Sequence, residues 1–191
     1  MIEKLQELVD VRRRIKEAIE YYGVVVDSNM KDYGDFILQI DKDDIQNQIF
    51  VVKDGTKFSG STVSQFPKLI TSSVTNMDLM FIGCTNLSIC PEMDTSKVTT
   101  MQYAFANCSN LTKTSILDIS NVVTGNGMFE ASGIREVYFK GQPKILSSDT
   151  YMFDGMVENG VLYYDSRYDY SVVMDLLPST WTAIPFDYAE E

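Results

Sequence analysis

Phe81, Phe105, Phe129 and Phe153 recur at intervals of 24 residues, preceded by Met80, Ala104, Met128 and Met152. A period of this length means stacked turns, none of which can bury an apolar face alone, so each must complete its neighbour's core in a solenoid. Aligned on the phenylalanines, one unit carries Val74, Met77, Met80, Phe81, Cys84 and Leu87, and the next Val98, Met101, Ala104, Phe105, Cys108 and Leu111. The third keeps Met128 and Phe129 but has Gly125 in place of the first methionine and Ser132 in place of the cysteine, while the fourth keeps Met152 and Phe153. These residues are the expected core.

The apolar offsets within a unit predict a helical stretch that turns one face inward. Thr71 to Ser73 and Thr95-Ser96 stand where helix N-caps belong. Each stretch is followed by a short apolar run: Leu87 to Ile89, Ile116 to Ile119, Val137 to Phe139 and Val161 to Tyr164. These runs predict one strand per turn, paired in parallel across stacked turns, with Gly83, Asn107 and Gly155 at the corners. The sequence therefore predicts an α/β repeat, a short leucine-rich-repeat-like solenoid with one helical stretch and one short strand in each unit. It spans residues 49–191, with an irregular first unit from Phe58 to Ile70 and a C-terminal cap.

Residues 1–48 form a separate expected segment. From Ile2 to Tyr22 the apolar positions recur at three and four residues, which predicts an N-terminal amphipathic helix. Leu8, Val11, Ile15, Ala18 and Tyr22 follow a heptad seam, the pattern of a helix that associates with copies of itself, with a trimer favoured. Val24 to Val26 are strand-like, and a second amphipathic stretch carries Tyr33, Phe36, Ile37 and Ile40. The acidic corner Asp41 to Asp44 lacks the glycine and terminal glutamate of a calcium loop and is expected to be a solvated turn.

Histidine is absent and the formal net charge is −11. The first fact excludes histidine triads and histidine metal ligands, and the second argues against nucleic acid, whose backbone is bound through Lys and Arg. No apolar run approaches the length of a membrane span, and the residues after Met1 lack the apolar core of a secretion signal, so neither membrane insertion nor signal-directed export is expected. Cys84, Cys90 and Cys108 are too few for a disulfide framework and read as core filler. No cofactor, metal site or catalytic residue is expected. A carboxylate-based enzyme is the least favoured reading, because pairs such as Asp41 and Asp43 lie in an expected turn with nothing framing a pocket.

The C-terminal part supplies the surface candidates. Tyr170 to Leu177 has helical spacing and Pro178 ends it. Trp181 is the only tryptophan, and Tyr163, Tyr164 and Tyr168 belong to a dense run of tyrosines, a residue suited to surfaces that are apolar on one side and wet on the other. These four residues are the candidate ligand or partner surface.

The pattern Val-Thr-x-Met-x-x-Met-Phe-x-x-Cys-x-x-Leu over Val74 to Leu87, repeated with Ala104 over Val98 to Leu111, resembles the BspA-type leucine-rich-repeat family of bacterial surface proteins. The resemblance extends from about Phe58 to Ile184. Such repeats also resemble parts of phage virion proteins, and Ile15 to Val26 with Tyr33 to Ile40 resembles the short modules that begin phage tail and fibre proteins. What the resemblance implies is a non-enzymatic virion structural protein, made in the host cytoplasm, that meets other virion proteins or a host receptor or glycan. The second reading is a bacterial cell-surface adhesin.

Overall fold

In the computed structural model, which describes residues 37–39, 49–66 and 68–188, the phenylalanines stack ring upon ring along one axis. Phe81 lies 5.3 Å from Phe105, Phe105 5.9 Å from Phe129, and Phe129 5.8 Å from Phe153. Phe58 adds a rung below, 5.5 Å from Phe81, although its spacing in sequence is one residue short. Trp181 closes the top, 6.1 Å from Phe153. The valines, methionines, cysteines and leucines assigned to the core are buried around this column.

The stretches expected to be helices are not helical. Each is a chain of tight turns, closed by bonds three residues back: Met80 N–H to the Met77 carbonyl, Cys84 to Phe81, and Leu87 to Cys84. The intervening N–H groups point to the next turn of the solenoid. Those of Met77, Leu79, Phe81 and Gly83 reach the carbonyls of Thr100, Gln102, Ala104 and Ala106 at 2.8–3.0 Å, and the pattern repeats from Met101 to Asn107. A helix would place all these bonds within one stretch. Left-handed residues prevent that: Leu79, Tyr103 and Gly127 in one row and Gly83, Asn107, Ala131 and Gly155 in another all have positive φ. A periodicity of three, set by successive turns, had the appearance of a helical face.

The hydroxyls expected to cap helices do a related job between turns. Thr71 Oγ1 donates to the Asp94 carbonyl at 2.9 Å and Thr95 Oγ1 to the Asp118 carbonyl at 3.0 Å. The cysteines are more than filler, for Cys84 Sγ lies 3.0 Å from the Phe58 carbonyl and Cys108 Sγ 3.1 Å from that of Phe81, each thiol bonding one turn back. Ser132, in the equivalent place, is buried with its hydroxyl unpartnered.

Two sheets flank the column. In the first, β1 (Ile37–Gln39) runs antiparallel to β2 (Ile49–Val51), which pairs in parallel with β3 (Lys68–Ile70). The second is parallel throughout, in the order β4 (Lys113–Asp118), β5 (Glu136–Lys140), β6 (Val161–Asp165) and β7 (Thr182–Phe186). Three of the four repeat strands expected from the sequence are present. The fourth, Leu87 to Ile89, is not a strand: the N–H groups of Ser88 and Ile89 both reach the Ser64 carbonyl, at 2.9 and 3.4 Å, so no ladder forms, and Pro91 just beyond lacks the N–H to continue one. Among the described residues there is one short helix, α1 (Ser171–Asp175), which follows β6 just before Pro178, inside the expected helical span. The architecture of the described residues is thus a parallel β-solenoid of about three turns with almost no helix.

The expected N-terminal helix, with Leu8, Val11, Ile15, Ala18 and Tyr22, lies outside the described residues, as do Val24 to Val26 and the acidic corner Asp41 to Asp44. Within the second amphipathic stretch, Ile37–Gln39 is a strand, and it joins the first sheet from the N-terminal side of residue 49.

Candidate binding face

Strand alternation sends Val137, Phe139 and Leu162 into the core and turns the residues between them outward. Parallel register then aligns the outward residues across strands. Ile116 of β4 stands opposite Tyr138 of β5, Tyr138 opposite Tyr163 of β6, and Tyr163 opposite Ile184 of β7. One apolar row therefore crosses all four strands, with Ile116 46% and Ile184 39% exposed at its two ends. On the same face Lys140 lies 4.0 Å from the Asp118 carboxylate.

The rings in the row are ordered by one another. Tyr138 and Tyr163 stack at 4.5 Å with planes 10° apart, and Phe186 sets an edge against both at 6.0 and 6.1 Å. The Tyr138 hydroxyl donates to Glu136 Oε2 at 2.9 Å. Loss of hydration, then the hydrogen bond and charge of Glu136, pushes the phenol of Tyr138 up to about 12, so it stays neutral at physiological pH.

Beside the row runs a groove of about 690 Å³ between β4 and the segment 88–93. Ile89, Cys90, Glu92 and Met93 form one wall, and β4, with Tyr138 and Phe186, forms the other. Burial raises the Cys90 thiol above its ordinary value, and pushes Cys84 and Cys108 up to about 11 and about 12. A protonated thiol is a poor nucleophile, so the cysteines here pack and donate weak hydrogen bonds.

The four surface candidates separate. Tyr163 is in the row, but Tyr164 is half-buried, its ring 5.3 Å from that of Tyr170. Tyr168 is exposed elsewhere, with the Arg167 guanidinium 5.8 Å from its ring centre. Trp181 is only 8% exposed; it caps the phenylalanine column and donates Nε1–H to the Val157 carbonyl at 2.8 Å. Ile116, Tyr138, Ile184 and Phe186 were not singled out by sequence reasoning. Their signal was strand alternation within each apolar run, which names outward residues but not which ones align.

Among the described residues no group of three or more His, Cys, Asp or Glu could hold a metal ion, and no helix is long and apolar enough to cross a membrane. A family model described as "Mycoplasma protein of unknown function, DUF285" matches residues 39–157. No curated protein and no solved structure matches the chain.

Proposed function

From the premise that the chain belongs to the DUF285 family, which is related to the BspA-type repeat proteins, we propose that it is a non-enzymatic binding module. Its rigid solenoid holds the outer face of β4 to β7 against another protein. The observation that carries this reading is the row Ile116, Tyr138, Tyr163 and Ile184, apolar and in register across every strand of the sheet. Aromatic and branched apolar side chains on a rigid frame are what protein interfaces are built around, because little side-chain entropy is lost on contact.

Protein is favoured over glycan as the partner. Sugar stacking requires an open ring face, whereas Tyr138 and Tyr163 cover each other and Phe186 lies edge-on to both. In this reading the module is a structural component of a phage particle, a tail or head fibre or decoration, where the repeat surface attaches to a host or to a neighbouring virion protein. The expected helix of residues 2–22 sets copies side by side as a homo-oligomer, so that weak contacts act together. A bacterial cell-surface adhesin is the second reading, supported by the bacterial name in the family's description.

The test is binding of the labelled full-length chain to intact bacterial cells and to purified phage particles, with a Tyr163→Ser/Ile184→Ser variant alongside. Binding to either target that falls at least about tenfold in the variant supports the row as the contact face. Equal binding by both proteins overturns it, and the target that is bound separates the adhesin from the virion component.

A further inference from the structure

An open aromatic face, which the sheet row lacks, is present on the side of the coil built by the turn ladder. Leu79, Tyr103, Gly127 and Tyr151 follow one another there at the 24-residue period. A Cβ at Gly127 would run into Cδ1, Cε1 and Cζ of Tyr103, so the tyrosine ring lies across the glycine of the next turn. Three successive ring atoms close to one point means that the ring turns a face, not an edge, toward Gly127. Among the described residues no other aromatic ring lies against Tyr103, and the residue is half-buried, which leaves the opposite face as the exposed one. Tyr151 stands two turns from Tyr103, about 10 Å away at the ordinary spacing of neighbouring strands. It is 56% exposed, and Gly127 places no side chain between the two.

Two carboxamides border these rings. Gln102 and Asn126 occupy the adjoining row, both partly exposed. Among the described residues the Gln102 side chain makes no hydrogen bond, and that of Asn126 accepts one, from the Tyr151 N–H at 3.4 Å. A carboxamide donates from its nitrogen and accepts at its oxygen in one plane, which suits neighbouring hydroxyls on a sugar ring. The charge in this row is negative: Asp78 accepts the Gln102 N–H at 2.8 Å and the Thr100 hydroxyl. We propose that this side of the coil binds a neutral oligosaccharide. Tyr103 stacks on the C–H face of one sugar residue and Tyr151 on that of a second, while Gln102 and Asn126 bond their hydroxyls. Asp78, in a chain of net charge −11, disfavours acidic sugars. The site goes beyond the protein-binding reading and does not depend on it.

The experiment titrates full-length protein with neutral tetrasaccharides of glucose, N-acetylglucosamine, galactose and mannose, and with tetragalacturonate, following the side-chain amide resonances of Gln102 and Asn126. Tyr103 has φ 54°, so Tyr103→Asn removes the ring with a residue that tolerates left-handed backbone, and Tyr103→Phe keeps the ring. At least one neutral tetrasaccharide is expected to bind and to shift both amide resonances, with tetragalacturonate about tenfold weaker or more. Tyr103→Asn is expected to weaken binding about tenfold or more, and Tyr103→Phe by less than about twofold. No binding of any neutral sugar, equal binding by Tyr103→Asn and wild type, or tetragalacturonate bound as tightly as the neutral chains overturns the proposal. So does sugar binding that is lost in Tyr163→Ser/Ile184→Ser and kept in Tyr103→Asn, which would move the sugar to the sheet row. Cell or particle binding that persists in Tyr103→Asn leaves the protein-binding reading standing even where the sugar titration fails.

Discussion

Asp165 shows how much of this fold depends on single polar residues placed where a turn closes. Its carboxylate is 2% exposed and accepts Arg167 Nε and Nη2, each at 2.8 Å, while the Arg167 backbone N–H adds a third bond at 3.2 Å. The Arg167 hydrogen bonds hold the acid below its reference value of 3.8 against the opposing effect of burial. A carboxylate whose folded value is depressed stabilises the fold fully above the unfolded value, and that contribution is lost as pH falls through the folded one. Replacing it by a neutral isostere, Asp165→Asn, is expected to cost about 1–2 kcal/mol at pH 7, a figure reduced because Arg167 is half exposed. The gap between wild type and variant should then close as the pH is taken below 3.8, as read by urea midpoints at a series of pH values. A gap that is constant with pH would show that shape, not charge, is what the site requires.

At the scale of elements, the turn ladder explains both what the sequence revealed and what it concealed. The core was legible because the 24-residue period repeats the same inward positions, and residues such as Val74, Met77 and Phe81 can occupy no other face of a stacked turn. The turns carry the signature of helices because inward residues three apart satisfy either geometry; only the left-handed positions distinguish them, and Leu79 and Tyr103 are not residues that announce a positive φ. The binding row was half legible. Strand alternation turns only one of two neighbours such as Tyr163 and Tyr164 outward, but the match of Ile116 to Tyr138 depends on a register shift between Lys113 and Ile116 that no local signal marks. The left-handed row also yields a prediction. Ala131 is exposed at φ 51°, in the row where Gly83 and Gly155 stand. Relief of the left-handed strain outweighs the added freedom of glycine in the unfolded chain, so Ala131→Gly should stabilise by about 0.5–1 kcal/mol and raise the melting temperature by about 1–4 °C. Gly127→Ala must go the other way. Its Cβ would run into the Tyr103 ring, at a position whose φ is also positive. Calorimetry on the pair tests the assignment, and a destabilised Ala131→Gly would mean that the Ala131 methyl contributes more by packing than its backbone strain costs.

Across the whole molecule, the parallel sheet ends in two edges that differ in chemistry. Thr182 donates its N–H to the Gly160 carbonyl beside β6, so Ile184 and Phe186 face the same way, and Ala183 and Pro185 face outward from the last turn. Pro185 therefore stands where an outward N–H would otherwise be offered to any passing strand, a common means of blunting an edge. The β4 edge faces the preceding turn of the solenoid, where the Asp118 N–H donates to Thr95 Oγ1 at 2.7 Å and Cys90 Sγ lies 3.6 Å from Ser115 Oγ. A solenoid whose last turn offered a receptive edge could join other copies there, and a head-to-tail contact does not close on itself. Pro185 removes that risk at the end of the last turn. Pro185→Val restores the missing donor and adds a β-branched residue to an exposed strand. Sedimentation velocity over a hundredfold range of concentration is expected to show a mass that rises with concentration in the variant and exceeds the wild-type value at every step. A variant with the wild-type profile would mean that the end of β7 is protected by something other than Pro185, the adjoining ring of Tyr188 against Phe186 at 4.8 Å being the contact to remove next.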